Sequence, residues 1–134
     1  MVLGREAFDR DLGQLEAQVV LLSALVESSV LISLLALKGR DLELASRVIA
    51  DDDLIDDKRF EIEMACAEIL RREAPIAGDL RRILTILQLA GELERIGDYA
   101  EGIAKITHLL SDKPLPKEII DIPRMGDRAI SMLK

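Results

Sequence analysis

Apolar residues in this chain recur three and four positions apart in three long runs, the spacing that lines side chains along one face of a helix. In the first run Phe8, Leu12, Leu15, Val19, Leu22, Val26, Ser29, Ser33 and Ala36 alternate by four and three. That heptad seam predicts a helix over about 6–38, packed along its length in a bundle. Near its end the seam shrinks to Ser and Ala, so a neighbour can approach closely there. Gly39-Arg40-Asp41 closes the run: Gly39 suits the left-handed position past a helix and Asp41 the cap of the next. The second run, 42–72, has Ala45, Val48, Ile55, Ile62, Cys66 and Ile69 as its seam, with Asp52 and Arg59 in the same register but on its shoulder.

Glu73–Gly78 is a turn, where Pro75 suits the start of a following helix over 77–110. On that third run the row Leu80, Leu84, Leu87, Gly91 continues as Glu94, Asp98 and Glu101, a stripe that begins as core and ends acidic. The core is expected to hold Leu22, Val26, Val48, Ile55, Ile62, Ile69, Leu84 and Leu87. Ser111–Pro116 reads as a linker with two prolines. A last apolar pattern after Pro123 runs through Met125, Ala129, Met132 and Leu133. No strand-like alternation occurs.

The expected fold is therefore all-α: an antiparallel three-helix bundle over 1–110, a linker at 111–116, and an incomplete fourth helix within 117–134. Met125, Ile130, Met132 and Leu133 would leave that last helix with an apolar stripe. The stripe is expected to be unstructured or, preferably, to dock on a second copy and give a homodimer.

Composition narrows the class. Hydrophobic residues make up 49% of 134 positions, enough for one real core, while only two Phe, one Tyr and no Trp favour helix-on-helix packing. A formal charge of −7, with no basic run, argues against nucleic acid. The single cysteine, Cys66, excludes an internal disulfide framework and fits a reducing compartment. Ala17–Leu37 is apolar enough to test as a membrane span, but Gln18, Glu27 and its serines favour a soluble helix. The first residues lack the apolar region of a signal peptide.

The chemistry lies in carboxylates. A hairpin about Pro75 sets Asp56 level with Glu94 and Asp52 level with Asp98, each pair also spaced i, i+4 on its own helix. Clustered carboxylates repel unless something cationic holds them, and oxygen donors suit hard metal ions. Arg59 and Arg95 offer the other solution, an ion-pair network without metal. Spacing leaves both open. Asp51, Asp53 and Asp57 read as a solvated shoulder, Cys66 as a small buried hydrophobe and His108 as a surface residue. No Glu-x-x-His pair, phosphate-binding Gly loop or nucleophile elbow is present. Gly91, Gly97 and Gly102 inside a helix imply close approach by a neighbour or a bound group.

Leu93-Glu94-Arg95-Ile96-Gly97-Asp98 resembles the L-E-R-I-G-D signature of the PhoU family of phosphate-signalling proteins, which contains that family's E(D)-x-x-x-D metal motif. Val48-Ile49, Asp52, Ile55-Asp56 and Glu61-Ile62-Glu63 are similar to its VI–D–ID–EIE stretch. Pro75-Ile76-Ala77 with Asp79-Leu80-Arg81 is similar to its P-V-A-x-D-L-R turn. The resemblance implies a three-helix repeat normally present twice. It implies Glu94 and Asp98 as metal ligands, supported by Asp52 and Asp56, with iron first among divalent or trivalent ions and Zn, Mn or Mg as others. It implies a cytoplasmic, regulatory and non-catalytic role. The partners would be the ATPase of a phosphate ABC transporter and a sensor histidine kinase, with the membrane reached only through them. Tyr99 and Gly102 depart from the His and Asn frequent in the family. The chain stops just inside the second repeat, so it is expected to be a piece of a longer protein. The alternative is a structural helical interaction domain with no metal.

Overall fold

The computed structural model describes residues 2–110 and 122–133. It contains α1 (Val2–Gly39), α2 (Leu42–Glu73), α3 (Ala77–Leu109) and α4 (Ile122–Leu133), with no strand among the described residues. The bundle is all-α, as expected, and the helix bounds fall within a few residues of those read from periodicity. Each long helix packs on the other two, whereas α4 packs on α1 alone. Direction follows from the ion pairs. Arg72 of α2 meets Asp11 near the start of α1, and Arg5 of α1 meets Asp79 at the start of α3. At the other end, Ser46 Oγ and His108 Nε2 lie 3.0 Å apart. The three helices therefore run up, down and up.

All nine seam positions of α1, from Phe8 to Ala36, are buried, as are Ala45, Val48, Ile55, Ile62, Cys66 and Ile69 of α2. The α3 face differs from expectation. Its buried row is Ile83, Ile86, Ala90, Leu93, Gly97, Ala100, Ala104 and Thr107, while Leu84 is 49% exposed and Leu87 only partly buried. Helix α3 carries two apolar rows side by side. The one chosen stays uncharged to its end and contains small residues that let α1 and α2 approach. The row through Leu84 ends in Glu94, Asp98 and Glu101, which could not be buried without costly desolvation.

The turn between α1 and α2 also differs. Arg40, not Gly39, takes the left-handed conformation, with φ 50°. Its N–H donates to Leu37 O at 3.3 Å and that of Asp41 to Ala36 O at 2.9 Å, the paired bonds of a Schellman ending. Asp41 then caps α2, its Oδ1 accepting from Glu43 N and Leu44 N, both at 3.1 Å. The chain must reverse in the one residue before that cap, which places the left-handed turn at Arg40. Pro75 lies just ahead of α3, between Ala74, left-handed at φ 42°, and Ile76 at the α3 N-cap.

The last helix does not wait for a second copy. It lies on α1 of its own chain, with buried Gly126 against Leu34 and with Ile130 and Leu133 packed on the core; Met132 stays exposed. The linker at 111–116 and the side chains of Met125 and Ala129 lie outside the described residues. By length and composition α1 could cross a membrane, yet 44% of its apolar window is buried in the bundle.

Candidate metal centre

The acidic face forms where α2 and α3 run side by side, with Gly97 at its floor. A side-chain carbon added to Gly97 would lie 3.1 Å from Ile55 Cδ1 and 3.8 Å from Asp52 Oδ1. Without a side chain there, α2 sinks against α3 and takes Asp52 with it. Asp52 is 7% exposed, deeper than the shoulder its register implies.

Across this contact, oxygens of Asp52, Asp56 and Asp98 all come within 4.8 Å of one another. Asp56 and Asp98 stand at the surface and Asp52 behind them. Asp52 Oδ1 is buried and takes no hydrogen bond. Burial, then neighbouring Glu101, Asp56 and Asp98, push the Asp52 carboxyl up to about 7. Asp56 is raised too, by burial first and then by the charges of Glu94 and Asp98. Carboxyls crowded this way hold protons that a cation could replace. Three hard oxygen donors from two helices, one of them buried and unpartnered, fit a cation such as Mg, Mn or Fe.

Glu94 stands apart from this trio. Its Oε1 accepts from Arg59 Nη1 at 2.8 Å, and Arg59 Nε also lies 2.7 Å from Glu63 Oε1. Arg59 thus neutralises one of the four expected ligands and leaves three together. Arg95 does not neutralise the acids; it pairs with Glu92 at 3.4 Å on the exposed side. A cleft of about 360 Å³ opens beside the trio, lined by Arg59, Gly91, Glu94, Arg95 and Asp98 among others.

Glu101 was missed as a site residue although it shares the Glu94–Asp98 stripe. It stands against Asp52, and Lys105 Nζ donates to its Oε1 at 2.8 Å. Lys105 lowers the Glu101 carboxyl, whereas burial beside Glu101 raises that of Asp52. The i, i+3 step from Asp98 was the available signal. Gly91 has Arg59 Nη2 at 3.7 Å from an added carbon, and nothing approaches Gly102.

The family model of the PhoU domain matches residues 19–107, which include every residue of this centre. The chain is 35% identical over 129 residues to the phosphate-specific transport system accessory protein PhoU homolog of Streptococcus pneumoniae, covering 96% of this chain and 60% of that protein. It is 36% identical over 118 residues to the homolog of Aquifex aeolicus, covering 88% and 53%. Among solved structures, PhoU from Pseudomonas aeruginosa superposes with a TM-score of 0.88 at 31% identity, over 94% of this chain and 61% of that one. The regulatory protein PhoU from Streptococcus pneumoniae gives 0.84 at 36%, over 94% and 59%. The chain thus spans 53–61% of the length of these relatives. On the match to the family model and on these folds, the chain belongs to the PhoU family.

Proposed function

We propose that this chain is a metal-binding regulator of phosphate uptake, acting in the cytoplasm as an adaptor to the phosphate ABC transporter ATPase and its sensor histidine kinase. The relatives' role as accessory proteins of the phosphate-specific transport system supports the regulatory part. The observation that carries the metal is the meeting of Asp52, Asp56 and Asp98, with a buried, unbonded oxygen on Asp52. A hard cation there would replace carboxyl protons and join α2 to α3 at the surface. Glu94 would complete the set on release from Arg59, in keeping with the E-x-x-x-D motif. Iron is favoured by the family resemblance, and Mn, Mg or Zn suit parts of the same donor set. The role is binding and signalling, not catalysis, and self-association into a homodimer belongs to the same reading.

The second reading, a helical interaction domain without metal, draws on Arg59–Glu94 and Lys105–Glu101, which already neutralise two acids. Elemental analysis of protein purified without added metal separates the two. Glu94→Ala with Asp98→Ala should abolish bound iron, manganese or zinc while circular dichroism stays unchanged. Unchanged metal stoichiometry in the double variant would overturn the assignment.

A further inference from the structure

The cleft beside the acidic trio has a wall without a side chain and a guanidinium edge without a partner. Gly91 lies inside α3, where glycine suits a helix poorly. A side-chain carbon there would stand 3.7 Å from Arg59 Nη2 and would enter the cleft that both residues line. The other two nitrogens of Arg59 are committed: Nη1 donates to Glu94 Oε1 at 2.8 Å, and Nε lies 2.7 Å from Glu63 Oε1. Nη2 makes no hydrogen bond among the described residues. Arg95 borders the same cleft, and its pair with Glu92 is long at 3.4 Å, beyond the ~3.2 Å of an ordinary N–H···O bond. Two guanidinium groups thus keep donors to spare at one small opening.

We propose that this cleft binds a small dianionic oxyanion of the phosphate type, and that it does so only when a cation occupies the trio of Asp52, Asp56 and Asp98. The proposal rests on the metal-binding reading above and adds a second ligand to it. Size agrees. The cleft measures about 360 Å³, at the small end of the roughly 300–1,000 Å³ of ligand pockets, which suits an ion with its waters. The donors agree too. Guanidinium groups meet oxyanions through paired N–H donors, and a hard cation takes oxygen ligands. A tetrahedral anion has oxygens enough for both arginines and the cation at once, whereas a halide has a single centre.

Charge supplies the condition. Glu92, Glu94 and Asp98 border the cleft against Arg59 and Arg95, three acids to two bases. Asp52 and Asp56 add to the excess, with oxygens within 4.8 Å of Asp98. An anion is therefore repelled from the cation-free cleft. A divalent or trivalent cation beside Asp98 reverses the balance, and the anion then bridges it to the arginines. The coupling is reciprocal: the factor by which the cation tightens the anion is the factor by which the anion tightens the cation. The contact between α2 and α3 thereby responds to the two ligands jointly.

Calorimetric titration of Mn²⁺ into the metal-stripped 134-residue chain, with and without inorganic phosphate, tests the proposal. Phosphate should tighten Mn²⁺ binding at least ~5-fold, the lower end of ordinary coupling between sites. Complexation of Mn²⁺ by phosphate in solution acts in the opposite direction and does not imitate the effect. Gly91→Leu fills the cleft, and Arg95→Met removes one guanidinium. Both should bind Mn²⁺ alone about as well as wild type and lose the tightening. Sulfate should reproduce the tightening and acetate should not. Mn²⁺ binding that phosphate leaves unchanged would overturn the oxyanion site while leaving the metal reading standing. No Mn²⁺ binding at all would overturn both. Equal tightening by acetate would give the cleft to a carboxylate, and tightening that survives in both variants would place the anion elsewhere; either result overturns the proposal.

Discussion

Arg59 on α2 donates through Nη1 to Glu94 Oε1 on α3 at 2.8 Å, one turn from the point where Asp52, Asp56 and Asp98 converge. The ion pair divides the acidic face into a neutralised half and an unneutralised one. Glu94→Gln should therefore lower Mn²⁺ affinity less than Asp98→Asn, by a few-fold against at least tenfold. Arg59→Met should raise it by freeing Glu94. Titration calorimetry on metal-stripped protein reads all three, and an Arg59→Met chain that binds more weakly would show that the arginine supports the site.

The raised Asp52 carboxyl sets a pH dependence. Folded, it keeps its proton to about pH 7, against an ordinary value near 4. Between those values the folded state binds more protons, so this group's contribution is fully favourable below about pH 4 and is lost as pH rises through 7. With metal chelated, Asp52→Asn should be more stable than wild type at pH 8 by roughly 1–3 kcal/mol, and the gap should close toward pH 4. Urea unfolding at several pH values measures it. A gap that widens in acid would refute the assignment.

Gly97 lets α2 and α3 meet. Gly97→Ala would gain up to about 1 kcal/mol of helix propensity but places a carbon 3.1 and 3.3 Å from two atoms of Ile55, a buried core side chain. Net destabilisation of about 1–2 kcal/mol is expected, within the ordinary cost of overpacking. Adding Ile55→Val, which removes the nearer atom, should make the double variant less destabilised than the sum of the singles. Strict additivity would mean that the contact is not tight.

The first turn offers opposite changes one residue apart. Asp41→Ala removes the cap of α2 and should cost about 1 kcal/mol. Arg40→Gly relieves a left-handed residue and should stabilise by up to about 1 kcal/mol. Thermal melts would show the midpoint moving down in one and up in the other. A lower midpoint for Arg40→Gly would mean that the arginine side chain makes a contact worth more than the strain.

Periodicity alone determined the helices and the inner seams of α1 and α2, because on α2 one apolar row has no rival and on α1 only the row from Phe8 to Ala36 runs the length of the helix. The level pairing of Asp52 with Asp98 and of Asp56 with Glu94 was legible to within a turn, since helix rise fixes what lies opposite in a short-looped hairpin; Asp56 also reaches Asp98. Which of two apolar rows on α3 turned inward was not legible. Leu84 and Ile83 are equally hydrophobic, and the choice fell to the small residues at Ala90, Gly97 and Ala100 that let three helices close. That rotation, absent from any single-helix pattern, is what sinks Asp52 beside Gly97 and aims Glu94 at Arg59. The sequence determined that the carboxylates would lie near one another. Only the tertiary structure decided which three stand together, because the angle at which each helix faces its neighbours is set by packing the whole core at once.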